Sequence, residues 1–264
     1  MKKICIVILF ISAIVTAQKK EFKYALSGIT KVVLSSNTRI VLNAVNSSQL
    51  VIQDNANDHQ RHSRWHTSDK TKEEKRKGLT AIYPGGKDNT NGFGFSIKKE
   101  GNVLYVTDLK SMHQRHGLKF ALPKNMNVSI DAGNLGGIEV YGFTGEVEAE
   151  TNVGKIIMKN VTGPITANTS VGKIDIDFDK VNQKSPITIS SSVSEIDVAL
   201  PGNTKANLEL KTQGTVYTNF DFEIPTKKGM PNVSGRKSIV SKLNNGGVKI
   251  YIKSSMGNIY LRKK

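Results

Sequence analysis

All five histidines of this chain lie in two short stretches. "DHQRHSRWH" at 58–66 holds His59, His62 and His66, and "MHQRH" at 112–116 holds His113 and His116. Imidazoles from two loops are suitable ligands for zinc or copper. The His-x-x-His spacing brings two rings together on a helix or turn but sends them to opposite faces of a strand. Arg61, Arg64 and Arg115 stand among the rings, and their charge opposes a cation. Only Asp58 and Asp108 are at hand to orient the imidazoles. The favoured reading is therefore a basic patch that gains charge as pH falls toward about 6.5. No cofactor is expected, and a metal at His59, His62, His66, His113 and His116 is the minority alternative. Trp65 is placed either to stack on a sugar ring or to cover the core.

A second chemical pattern is acidic. In "IDIDFDK", Asp175, Asp177 and Asp179 alternate along one segment, with Asp197 and Glu139 at matching places in related segments. Aligned carboxylates suit Ca²⁺, which takes several oxygen ligands. The Gly- and Asp-rich turn of calcium-binding repeats is missing, however, and Lys155 and Lys173 lie close by. A solvated charged face is expected. Paired carboxylates also serve glycoside hydrolysis, but no such pair stands out from the ladders. No Ser-His-Asp set or phosphate-binding glycine loop is present. No catalytic residue is assigned, and the chain is read as a non-enzyme.

The N-terminus is read apart from the fold. Lys2 and Lys3 precede an apolar run from Ile4 to Ile14, followed by Val15-Thr16-Ala17. This is the pattern of a cleaved signal peptide over 1–17; the run falls short of the about 20 residues of a membrane span. The only cysteine, Cys5, lies within it, so neither a disulfide nor thiol chemistry is expected in the mature chain. No later segment is apolar enough to span a membrane. The formal charge is +16, and loss of Lys2 and Lys3 leaves a strong basic excess. Such an excess draws anionic partners through its long-range field. Helix-turn-helix and zinc-finger patterns are absent, which argues against sequence-specific nucleic-acid binding.

These groups must be positioned by the elements around them, and here the chain repeats itself. "GGIEV", "GKIIM", "GKIDI" and "SEIDV" begin at residues 136, 154, 172 and 194. "GTVYT" and "GNIYL" follow at 214 and 257. An interleaved set, "GEVEA", "GPITA" and "SPITI", begins at 145, 163 and 185. Fixed-period similarity of this kind marks a stacked-repeat architecture. Apolar and polar residues alternate with period two in every unit, the signature of half-buried strands. The inward rows are Ile138/Val140, Ile156/Met158, Ile174/Ile176 and Ile196/Val198, with Val147/Ala149, Ile165/Ala167 and Ile187/Ile189 as a second column. Val153, Val171 and Val193 recur just before the units and are expected to fill a corner of the core. The longer interval before 194 implies a bulge in "DKVNQKSP".

The segments "LKFALPKNMNVSIDAGNLGGIEV", "GEVEAETNVGKIIMKNVTGPITANTSVGKIDI" and "LPGNTKANLELKTQGTVYTNF" resemble the bacterial "putative-adhesin" family of β-strand-repeat domains. The shared pattern is a strand ending in Leu-Pro followed by Gly-x-Ile/Val steps, and it is strongest over residues 117–220. The chain departs from it at Ser194, where the repeat glycine is replaced, and in its polar insert. The resemblance implies an exported, all-β, right-handed β-solenoid-like stack of short strands, about 18–22 residues per two-strand coil, with no known catalysis. It carries over no functional residue.

The preceding half is read as less regular strands over 18–123, ending near residue 124, where the regular repeat (124–264) begins. "KVVLSS", "TRIVLNAV", "SQLVIQD", "GFSIKKE", "NVLYVTD" and "GLKFALP" have strand composition, and capping of the stack is their expected task. The insert 55–77 is polar and basic, with a short helical turn that Ser68 would cap and Gly78 would stop. "YPGGKDNTNGFG" reads as a flexible loop. Arg61, Arg64, Trp65, Lys70, Lys72, Lys75, Arg76 and Lys77 form the candidate contact set for an anionic partner. The reading is a periplasmic, cell-surface or secreted protein of adhesin type, presenting a rigid basic surface to glycans, envelope polymers or an envelope protein. A regulatory docking partner in envelope-stress sensing is the alternative, and a glycan-active enzyme the third.

Overall fold

The computed structural model describes residues 21–53, 74–114, 118–221 and 237–264. It is all-β, with twenty-two strands among the described residues. The opening part supplies β1 (Glu21–Ala25), β2 (Lys31–Ser35), β3 (Ile40–Val45), β4 (Gln49–Gln53), β5 (Ile82–Tyr83), β6 (Gly86–Lys87), β7 (Phe95–Glu100), β8 (Val103–Asp108) and β9 (Lys119–Pro123). The repeat supplies β10 (Asn127–Asp131), β11 (Ile138–Tyr141), β12 (Val147–Thr151), β13 (Ile156–Val161), β14 (Ile165–Thr169), β15 (Ile174–Phe178), β16 (Ile187–Ser191) and β17 (Ile196–Leu200). The chain closes with β18 (Ala206–Thr212), β19 (Val216–Thr218), β20 (Lys237–Leu243), β21 (Val248–Ser254) and β22 (Ile259–Lys263).

From β9 to β19 successive strands alternate between two ten-stranded sheets. Sheet A runs β1-β4-β9-β3-β11-β13-β15-β17-β22-β19, and sheet B runs β20-β18-β21-β16-β14-β12-β10-β2-β8-β7. Within the repeat each strand pairs in parallel with the strand two places further along. The register keeps like over like: Ile138, Ile156, Ile174 and Ile196 stack in one file, and Ala149, Ala167 and Ile189 in another. All seven are buried in one continuous apolar core. A register slip of one residue would turn every one of them outward, so the alternating pattern selects this pairing. Burial of each large aliphatic side chain contributes about 1.5–3 kcal/mol.

Five of the turns from sheet B to sheet A are held by a hydroxyl, whereas in the β10–β11 turn the Ala132 carbonyl accepts from the Gly136 amide. Thr151 Oγ1 accepts from the amide of Gly154 and donates to the carbonyl of Gly136 in the neighbouring coil, at 3.3 and 2.7 Å. Thr169, Ser191, Ser254 and Thr212 make the same two contacts in the other four. Buried polar backbone is thereby satisfied from coil to coil. The turns also stack at contact distance: a Cβ on Gly154 would lie 1.8 Å from the carbonyl oxygen of Gly136, and one on Gly172 1.7 Å from that of Gly154. At Ser194, where the glycine is replaced, the hydroxyl donates to the Val171 carbonyl.

The expected corner-filling role of Val153, Val171 and Val193 is incorrect. They are 48%, 44% and 45% exposed, because the hydroxyl two residues earlier occupies the inner corner and the tight turn throws the valine outward. A second correction concerns order. In sequence "GTVYT" precedes "GNIYL", but in space β21 and β22 slot between β16/β17 and β18/β19. The other end mirrors this: β2 and β3 lie between β8/β9 and β10/β11. Antiparallel strands then flank the outermost coils: β7 on β8, β4 and β1 on β9, and β20 on β18. The bulged turn after β15 is also used, since Gln183 Oε1 accepts from the amide of Val248 in the inserted C-terminal coil at 3.1 Å.

"YPGGKDNTNGFG" is not a loose loop. It forms the β5–β6 ribbon and then folds onto a buried Asp88. That carboxylate accepts from the Thr90 amide and hydroxyl and from the Gly94 amide at 2.7–3.0 Å.

Candidate ligand-binding face

Most of the contact set read from the insert lies outside the described residues: Arg61, Arg64, Trp65, Lys70 and Lys72. So do His59, His62, His66 and His116. Lys75 and Arg76 belong to a helical turn at 74–76, followed by Lys77 and by Gly78 with φ 77°, and all are exposed. His113 is exposed in a 3-10 turn at Ser111–His113. Among the described residues no three His, Cys, Asp or Glu side chains converge as metal ligands.

The outer face of sheet A carries the acidic ladder in the expected register, with Asp175 beside Asp197. Its carboxylates are met by cations from other coils. Lys159 binds Asp175 at 2.7 Å, Lys173 binds Glu195 at 2.8 Å, Arg39 binds Glu139 at 2.7 Å and Lys264 binds Asp177. Arg262 holds Asp197 with two nitrogens, at 2.7 and 2.9 Å. This pairing raises the Arg262 pKa, and the Glu195 contact raises that of Lys173. Tyr260 stacks on Tyr217 at 5.2 Å beside this network.

The outer face of sheet B differs. At its C-terminal end Tyr251 stands out from β21, between the buried Ile250 and Ile252. Lys211 of β18 lies 5.1 Å from its ring centre and Lys249 lies 5.9 Å away. Lys253 is the next outward residue on β21, directly beside Lys211 across the pair. Glu209 is the one carboxylate among these groups. It bonds Lys211 at 2.6 Å and Lys249 at 3.0 Å. Lys211, and then Lys249, hold its carboxyl below the usual 4.5, while Glu209 raises the pKa of Lys211.

Open hollows of about 300 and 460 Å³ flank Tyr251. The first is lined by Lys211, Gln213, Ser238, Lys253 and Ser255, and the second by Pro186, Thr188, Glu209, Lys211 and Lys249. Beyond them the face continues through Thr188, Thr166, Ser190 and Asn168 on successive strands. An aromatic ring framed by lysines, followed by a row of hydroxyl and amide groups, has the chemistry to stack on a sugar ring, pair with an anion and hydrogen-bond hydroxyls.

Sequence reading did not single out this cluster. Tyr251 and Lys211 are forty positions apart and become neighbours only through the inserted C-terminal coil. The local signal was an outward "KIYIK" strand with two lysines around a tyrosine.

The described residues form an all-β protein of two ten-stranded sheets, with a lysine cluster around Tyr251 on the outer face of sheet B. No family model and no curated protein sequence matches the chain. Among solved structures, a "putative cell adhesion protein" from Clostridium sporogenes is similar at 14% identity and a TM-score of 0.40, over 94% of this chain and 100% of its own. A "putative adhesin" from Bacteroides fragilis is similar at 14% identity and a TM-score of 0.30, over 93% and 98%. No helix among the described residues is long and apolar enough to cross a membrane.

Proposed function

We propose that this chain is a non-enzymatic, adhesin-like protein that binds anionic glycan on the outer face of sheet B. The observation that supports this most is the cluster of Lys211, Lys249 and Lys253 around Tyr251, with a single carboxylate to offset three ammonium groups. The leader-like residues 1–17 support export, to the periplasm, the cell surface or the medium. In this reading the repeat winds as a right-handed β-solenoid, the sense that parallel strand crossovers favour, and the strands of 18–123 cap it. The basic insert 55–77 adds a second contact.

The test is titration of the full chain with dextran sulfate, polygalacturonate and uncharged dextran. Saturable binding to both anionic polymers, weakening with salt and lost on Lys211→Ala with Lys253→Ala, is the expected result. Equal binding of neutral dextran, or anion binding that survives the double substitution, would overturn the assignment to this face. Deletion of 55–77 measures the contribution of the insert separately.

A further inference from the structure

The outward-thrown valines belong to a longer ridge. The residue preceding each stacked turn is, in spatial order, Asn37, Leu135, Val153, Val171, Val193, Met256 and Gln213. The order follows from the stacked turn positions after them: a Cβ at each of Gly136, Gly154, Gly172, Gly257 and Gly214 would meet the turn backbone of its neighbour. The ladder of amides confirms it, with Val153 donating to Asn134, Val171 to Asn152 and Val193 to Ser170. The five apolar members are 72%, 48%, 44%, 45% and 65% exposed. They form a continuous apolar row, about 19 Å long at the usual strand spacing of about 4.8 Å. Single exposed apolar residues are ordinary, but an aligned row is the mark of an interaction surface.

We propose that this ridge is the contact between two copies of the chain, packed antiparallel about a two-fold axis at Val171. Three features select a second copy as the occupant. Spacing is the first: an identical ridge repeats its side chains at the same strand step, so the two rows match residue for residue along their length. Symmetry is the second. The row reads polar, long apolar, Val, Val, Val, long apolar, polar, which is the same from either end. A two-fold contact requires self-complementarity of this kind. Leu135 then meets the partner's Met256, and each polar end closes over the other.

Charge is the third feature. On the sheet A flank the turns carry Lys155, Lys173 and Glu195 in successive coils. The same axis sets Lys155 opposite the partner's Glu195. Lys173 falls at the axis, where Glu195 already meets its charge at 2.8 Å. The opposite flank is neutral, with Asn134, Asn152, Ser170 and Ser192, and Asn152 donates to Asn134 at 2.6 Å. A ridge one side chain wide makes a small contact, and small interfaces are weak and transient, so the dimer exchanges readily.

Sedimentation over a dilution series, with cysteine cross-linking in a Cys5→Ser background, tests the proposal. Val171→Cys is expected to cross-link to itself on oxidation. Leu135→Cys alone should not, whereas Leu135→Cys mixed with Met256→Cys should. Val171→Asp should raise the dissociation constant at least about tenfold without moving the unfolding midpoint, since the residue sits on an exposed turn. A monomer at every concentration, or self-cross-linking of Leu135→Cys, overturns the antiparallel dimer. Neither outcome depends on glycan binding.

Discussion

The acidic ladder of sheet A and the Tyr251 end of sheet B lie on the same stack of strands, yet they handle charge differently; elsewhere on sheet B, Lys31 pairs with Glu148 at 2.8 Å much as the sheet A groups do. On sheet A nearly every acid of the ladder has a base from another coil, so the face neutralises itself. On sheet B, around Tyr251, one glutamate is divided between two lysines and a third lysine makes no ion pair among the described residues. Equal scaffolds therefore give one region fitted for coil-to-coil pairing and one region with cationic capacity to spare. Charge composition alone does not mark a binding surface; the balance within one neighbourhood does.

The strongest way to break the comparison is to remove the scaffold that both faces share. Gly154→Ala puts a methyl against backbone that has no freedom to retreat. It should cost about 3 kcal/mol or more, and thermal unfolding should show both faces lost in one transition. Survival of one face would show that the sheets are not held in common.

Next in size is the binding contrast itself. Lys211→Ala with Lys253→Ala should weaken dextran sulfate binding by about tenfold or more in a salt-resolved titration. The matching change on sheet A, Lys159→Ala, should leave that binding unaltered.

A smaller effect of opposite sign follows from Glu209→Gln. Removal of the one offsetting carboxylate should tighten anion binding a few-fold, whereas Asp197→Asn on sheet A should not. The same group gives a pH signature. Its carboxyl is held below the usual 4.5, so its ion pairs stabilise the fold above the unfolded carboxylate pKa. That stability is lost as pH falls through the lower folded value. Protonation also frees Lys211 and Lys249, so binding of dextran sulfate, which stays charged, should strengthen in the same acidic window. Weakening there would exclude Glu209 as the restraint.

The smallest expected effect is on sheet A. Asp175→Asn, which breaks the single, solvent-open contact with Lys159, should shift the unfolding midpoint only slightly, because exposed ion pairs contribute little. A large shift would mean that the acidic ladder, rather than the core beneath it, holds the coils in register.

Much of the repeat was legible because its signal is local. Ile138, Ile156, Ile174 and Ile196 lie at regular intervals, and period-two alternation dictates which side of a strand faces inward. The corner is decided by an equally local feature: although valine is apolar, Thr151, Thr169 and Ser191, three positions before each turn glycine or serine, take the inner place by hydrogen bonding within their own turn and to the neighbouring one. That Thr/Ser-x-x-Gly/Ser spacing was present in the chain and could have been read. The Tyr251 face could not, since no spacing along the chain says that β21 enters between β16 and β18.

The amino-acid sequence by itself determined the strand pattern, the spacing of the repeated segments, the apolar files and the basic excess, most of it set by neighbours a few residues apart. Only the tertiary structure decided the order of the end strands, the alignment of the valines with Leu135 and Met256 in one ridge and the gathering of three lysines around one tyrosine. Those depend on which strand edges meet, and backbone pairing is open to any edge of suitable shape. The choice is made by packing of the whole stack, through contacts such as Gln183 to Val248 that join segments far apart in the chain.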